Sequence, residues 1–196
     1  MDYTLLVVGL LSFLGGHSVS IFARPWRDAQ AAKLGEIPWK GLYAVVALLT
    51  FGLLVWGYGA TRINPIVIWT PPDWTRHVAS LLTLPAFILI IAAYVPGDRF
   101  KSAVGHPLLA GTMIWALAHL LANGNLGDVL LFGGFLIWAI ADFISARRRD
   151  RAAGKIYVAG PLSRTIITVI VGIVAWAAFA RFGHQPLIGV SPFAIT

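Results

Sequence analysis

Runs of apolar residues, broken by short polar stretches, organise this chain. Runs long enough to cross a bilayer, about 20 residues each, fall at 3–23, 40–60, 77–95, 106–122, 127–146 and 163–182. They predict six membrane-spanning helices. Glycines inside the runs, and Pro85 inside the third, do not break this reading, because membrane helices tolerate both. The opening residues MDYTLLVVGLL have an acid at position 2 and no basic segment ahead of the apolar run. They are therefore expected to form the first permanent span rather than a cleaved signal.

Composition sharpens the picture. Of 196 residues, 58% are hydrophobic and 12% are charged, and the mean hydropathy is +0.79. A soluble domain carries about twice that share of charge. The expected fold class is all-α, a polytopic transmembrane bundle of about six helices. Residues 1–196 form a single domain on this reading, because the longest linker is about 19 residues. With no cysteine, disulfides, thiolate ligands and cysteine nucleophiles are excluded.

The net charge of +7 would suggest nucleic acid in a soluble protein. Here its distribution gives a different reading. Arg24, Arg27, Lys33 and Lys40 flank the first linker, Arg99 and Lys101 the third, and Arg147, Arg148, Arg149, Arg151, Lys155 and Arg164 the fifth. Only Arg62, Arg76 and Arg181 remain for the other side. The positive-inside rule then places the odd linkers in the cytoplasm and both termini outside. In a bacterium this is a multi-pass inner (plasma) membrane protein with periplasmic termini. The basic residues face anionic lipid, and no nucleic-acid partner is expected. Trp26 and Trp39 at one boundary, and Trp69 and Trp74 at the other, fit interfacial aromatic belts.

Five histidines carry most of the chemistry on offer. His119 lies inside the apolar stretch MIWALAHLLANGN, on one helical face with Thr112, Trp115, Ala116 and Asn123. A stripe holding the hydrogen-bonding groups faces the bundle. His119 is then either interhelical hydrogen-bonding glue or a metal or haem ligand. His17, in GHSVSIFAR, offers the same two readings. Gly16 and Ser20 beside it form a small surface on which a neighbouring helix could pack. Asp142 is the carboxylate set well inside a span. It either accepts an imidazole N–H, as ligating histidines require, or pairs with Arg24 or Arg147. His106 precedes a proline at the first turn of the fourth span, a boundary position. His77 and His184 read as interfacial.

No zinc motif, nucleotide-binding loop, serine-hydrolase elbow or pair of acid–base carboxylates is present in the sequence. His106 and His119, thirteen residues apart, would be separated by roughly 20 Å on one helix. They cannot both ligate one iron. A two-histidine site must pair different helices, as in haem-binding bundles.

The blocks GHSVSIFAR, LPAFILIIAAY (84–94) and above all GHPLLAGTMIWALAHLLANGNLGDVLLFGGFLIWA (105–139) resemble the NnrU family of bacterial membrane proteins. That family is associated with nitrite and nitric oxide reduction and is related to the haem-containing 15-cis-ζ-carotene isomerase. The resemblance implies haem b, with iron held axially by His17 and His119. His106 would be the histidine of a His-Pro motif at the cofactor, and Arg24 and Arg27 would meet the propionates. It implies a small gaseous ligand or an apolar polyene as the partner of the iron. It also implies two activities to choose between, redox or ligand response and cis–trans isomerisation of a 15-cis carotenoid. A non-catalytic membrane assembly partner, or a homo-oligomer, is compatible with the same residues. The depths of His17 and His119 differ by roughly 10 Å on this topology, at 1.5 Å per residue. The pairs His17–His106 and His77–His119 also suit the geometry.

Overall fold

In a computed structural model, residues 3–190 and 192 are described. The elements are α1 (Tyr3–Phe22), α2 (Arg24–Leu34), α3 (Glu36–Thr61), α4 (Trp74–Ala92), α5 (Arg99–Val104), α6 (Pro107–Ala122), α7 (Leu126–Ala152), α8 (Leu162–Ala178), a π-helical turn (Phe179–Gly183) and α9 (His184–Ile188). Among the described residues the only β contact is an isolated bridge between Val67 and Asn125. The all-α expectation and the six apolar helices both hold.

Five helices have the length and composition to cross a membrane: α1, α3, α4, α7 and the stretch Leu162–Ile188. The sixth, α6, is shorter at 16 residues. At 1.5 Å per residue it covers roughly 24 Å, less than a full hydrocarbon core. Its ends are covered by protein instead. The backbone N–H groups of Ile68 and Trp69 donate to Gly124 O at 2.8 and 3.1 Å. At its other end α6 packs against α5.

Three short helices, α2, α5 and α9, were not predicted. α2 carries Arg24, Arg27, Asp28 and Lys33 and buries none of its residues. Its polar composition kept it out of an apolar-run reading. Trp26 on α2 meets Trp39 on α3, ring centroids 6.2 Å apart. α7 runs six residues beyond its predicted end, because Arg147–Ala152 continue the helix past the apolar run.

The long helices pack in the order α3, α1, α7, α6, α4, α8. Two glycines set the α1–α3 seam. A β-carbon at Gly9 would lie 2.7 Å from Leu54 Cα, and one at Gly57 would lie 2.5 Å from Leu6 N. Only hydrogen allows these backbones to approach so closely. Gly16, the small residue expected to serve this purpose, has nothing within 4 Å of its β-carbon position. The reason lies in the shape of the bundle. The half with Tyr3 is tightly filled, its core built from Leu6, Leu54, Tyr58, Ala116, Leu131 and Phe132. Toward the other end α1 and α3 border a cavity, to which they contribute His17, Ser20 and Tyr43, and no neighbouring atom comes close to Gly16.

Connections sort to the two ends as the charge pattern predicted. At one end Tyr3 Oη accepts from Ile66 N at 3.0 Å, and Arg62 donates to Ile188 O at 2.6 Å. At the other end Arg164 donates to Pro96 O at 2.6 Å, joining the two basic linkers.

Candidate functional site

His17 sits in α1, and its Nδ1 lies 2.7 Å from Phe13 O, one turn back. A carbonyl only accepts, so Nδ1 carries the hydrogen. In the neutral ring Nε2 then presents its lone pair. The ring packs against Phe13, Tyr43 and Trp138, with centroids 4.2, 5.4 and 6.1 Å away. His119 repeats the arrangement in α6: its Nδ1 lies 2.8 Å from Trp115 O. Its ring stacks on Phe132 at 4.6 Å and 28°. The predicted polar stripe on α6 does face protein, with Ala116 fully buried and Trp115 packed on Phe132 and Phe135 of α7.

The two imidazoles are not neighbours. A row of rings runs between them: Phe13 beside His17, then Phe135 at 5.9 Å from Phe13, Trp115 at 5.5 Å from Phe135, and His119 at 5.1 Å from Trp115.

The histidine that shares a cavity with His17 is His106. A partly open cavity of about 340 Å³ at the basic end is lined by His17, His106, Asp142, Trp138, Tyr43 and Lys101, among others. The turn before α6 brings His106 there. Gly105 has φ of +81°, a conformation that side chains resist, and it reverses the chain so that α5 ends and His106-Pro107 starts α6. His106 thus lines the same cavity as His17, the pairing that stood beside the His17–His119 assignment, although its position alone read as a boundary residue. Its Nε2 lies 2.7 Å from Asp150 Oδ2, and the Tyr157 hydroxyl donates to the same oxygen at 2.7 Å. Lys155 lies 3.6 Å from Asp150 Oδ1 and 4.7 Å above the Tyr157 ring. Burial, helped by the hydrogen bond to Asp150, raises the Tyr157 hydroxyl above its usual range. Lys155 is also raised, chiefly by its hydrogen bond with Tyr157.

Asp142 faces the same cavity. The N–H of His17 is taken by Phe13, so Asp142 is not its acceptor. Its nearest cation is Arg149, at 3.6 Å, rather than Arg24 or Arg147. Asp142 Oδ1 and Trp138 Nε1 are both buried and without a hydrogen-bond partner. Arg24 is exposed on α2, 3.6 Å from Asp28, and Arg27 pairs with the same carboxylate at 2.8 Å. Neither arginine lines the cavity. His77 is exposed near the start of α4. His184 lies 2.6 Å from Val190 O through Nδ1. Among the described residues no three metal-binding side chains converge.

Two groups escaped the sequence reading. Tyr58 donates to Asp128 Oδ1 at 2.6 Å, with the carboxylate only 3% exposed. Asp128 Oδ2 accepts from Asn125 N at 3.1 Å. The signal was present in Asn-Leu-Gly-Asp, the spacing of a capping box at a helix start. Asp150 gave less warning, since it sits among four arginines in the sequence.

No curated protein and no solved structure is similar to this chain at a significant level. The model of the family described as NnrU protein matches residues 5–192, nearly the whole sequence, and the protein belongs to that family.

Proposed function

We propose that this NnrU protein binds haem b within the membrane, with His17 and His119 as axial ligands. The haem is then a redox- or small-ligand-responsive centre in nitrogen-oxide metabolism. The observation that carries this reading is the matched chemistry of the two imidazoles. Each donates Nδ1–H to the carbonyl one turn back and so keeps Nε2 as a lone-pair donor. That outer hydrogen bond is what a ligating histidine needs, because it fixes the tautomer and the ring orientation. The two lie on α1 and α6, which both pack on α7, and a two-histidine haem site in a bundle draws its ligands from different helices. A bound haem supplies a one-electron redox change and an iron site that opens when one histidine leaves.

The residues fit the cofactor in donor type and in surroundings. Phe13, Phe135 and Trp115 give the apolar, flat surfaces that a porphyrin contacts. Those same rings stand between the two histidines, so haem binding requires them to turn aside. The positive residues at the basic end, Lys101 in particular, are closer to the cavity than Arg24 or Arg27 and better placed to meet a propionate.

The test is the visible spectrum of detergent-purified protein carrying single alanine substitutions. Loss of six-coordinate haem in His17→Ala and in His119→Ala, with His106→Ala retaining it, supports the pair. Loss in His17→Ala and His106→Ala with His119→Ala unaffected refutes it and moves the iron to the cavity at the basic end.

A further inference from the structure

The linkers 93–106 and 153–161 are fastened to each other at the basic end of the bundle. Arg164 donates to Pro96 O at 2.6 Å, and Arg99 N donates to Thr165 Oγ1 at 3.1 Å. The two chains also meet at glycines, where a β-carbon on Gly160 would overlap Gly97 O. Between the linkers lies a second cavity, of about 350 Å³. Its wall carries Lys101, Ser102 and Lys155 together with the apolar side chains of Ile156 and Val158. Among the described residues Lys101 has no acid partner. Lys155 is 3.6 Å from Asp150 Oδ1, beyond hydrogen-bond reach, and its side chain is 52% exposed. The carboxylate on the wall, Asp98, is fully buried and accepts from Lys101 N at 2.9 Å, so it caps the start of α5. With Arg99 and Arg164 beside the two lysines, four cations surround the cavity against Asp98 and Asp150. The surplus is positive, which favours an anion.

The apolar part of the wall narrows the class of anion. Lys155 and Tyr157 turn toward Asp150. Ile156 and Val158, which alternate with them, are 83% and 80% exposed. Large apolar side chains grouped in the open mark a surface that meets a partner or a membrane. Here the membrane is at hand. The apolar helix α4 ends at Ala92 and α8 starts at Leu162, so the cavity lies just past the spans, at the level of the lipid headgroups. Its volume is at the small end for ligand sites, which run from about 300 to 1,000 Å³. It has room for a polar head, and the acyl chains of a lipid stay outside, against Ile156 and Val158.

We propose that the cavity between the two linkers seats the phosphate of an anionic phospholipid, a phosphodiester whose headgroup has no amine to cancel its charge. Lys101 and Lys155 meet the phosphate as point charges, as basic pockets at the ends of membrane bundles do. Ser102 Oγ donates to Arg99 O at 2.8 Å and keeps its lone pairs for a headgroup hydroxyl. A lipid held by both lysines bridges α5 to the 153–161 linker. Diffuse attraction of a basic surface to anionic lipid would draw on every cation at this end, whereas a seat depends on these two. A soluble phosphate would satisfy the same lysines and make no use of Ile156 and Val158. The assignment does not rest on the haem reading.

The experiment uses full-length protein in detergent, free of haem so that no propionate competes for Lys101. Native mass spectrometry follows its titration with phosphatidylglycerol and with phosphatidylcholine of the same chains. Phosphatidylglycerol should bind one site per chain about tenfold more tightly than phosphatidylcholine. Lys101→Gln and Lys155→Gln should each weaken it about fivefold. Lys33→Gln, at a cation on α2 that does not line the cavity, should leave it unchanged. Equal affinity for the two lipids overturns the proposal, as does a loss in Lys33→Gln equal to that in the cavity variants. The double variant Ile156→Ser, Val158→Ser should bind phosphatidylglycerol more weakly. Unchanged lipid affinity in that variant, or displacement of the lipid by millimolar inorganic phosphate, assigns the site to a soluble anion and refutes the lipid. Should a variant fail to fold, photocrosslinking of the wild type with phosphatidylglycerol carrying a headgroup diazirine decides. Label on the peptides 96–102 and 155–158 supports the seat, and label elsewhere refutes it. Because the protein assayed carries no haem, failure here and failure of the haem reading are separate results.

Discussion

Two glycines on one helix test the packing that places His17. Gly57→Ala adds a methyl group 2.5 Å from Leu6 N and 2.6 Å from Leu5 C. Both are backbone atoms of α1, and neither can turn away as a side chain could. Relief requires α1 and α3 to separate by close to 1 Å, if ordinary contact is about 3.5 Å or more. Overpacking of this kind costs about 1–3 kcal/mol. Gly52→Ala, five residues earlier on α3, meets nothing within 4 Å. There the substitution acts only on the helix backbone and should stabilise by up to about 1 kcal/mol. The same chemical change on the same helix thus has opposite signs, with a gap of about 2–4 kcal/mol. The assay is reversible unfolding of each variant in mixed micelles against wild type, read by circular dichroism. Equal stability of the two variants would refute the close α1–α3 seam, and with it the placement of His17 beside Tyr43.

Other consequences follow from the same contacts. Tyr58→Phe removes the donor to a carboxylate that is 3% exposed and should cost about 1–3 kcal/mol in the same unfolding assay; a neutral result would mean Asp128 is satisfied elsewhere. Asp150→Asn weakens the hold on both His106 and Tyr157, so trypsin should cut the 153–161 linker several-fold faster, whereas an unchanged rate would show that the linker is held by Arg164 and Pro96 alone. The cysteine-free sequence allows clean sidedness tests. A single cysteine at Asp73, whose side chain is 95% exposed, should react with an impermeant maleimide from outside intact cells, and one at Ser102 only after lysis; the reverse pattern would invert the topology.

Much of the fold was legible because the bilayer imposes one simple rule. Apolar runs near 20 residues must be helices, and cations in short linkers orient them. The misses share a cause. α2 and α5 bury little and depend on the boundary and on neighbouring linkers, so no apolar run marks them. Gly16 looked like a packing surface because small residues mark close approach, but a sequence does not show which glycines meet a neighbouring backbone, as Gly9 and Gly57 do and Gly16 does not. The face of His119 was readable from spacing of three and four on one helix. The sharing of one cavity by His17 and His106 was open only as one pairing among three, because it depends on how α1, α6 and α7 lie together and on the turn at Gly105. Asp150 acts through contacts to residues 44 positions before it and 7 after it, a relation that local pattern does not encode.

The most direct test of the haem reading is the visible spectrum of purified wild-type protein, oxidised and dithionite-reduced, with haem quantified per chain. The account predicts a six-coordinate b-type spectrum at one haem per chain, in as-purified protein or after reconstitution. A protein that stays colourless after haem is added would contradict it and return His17 and His119 to the role of hydrogen-bonded packing groups.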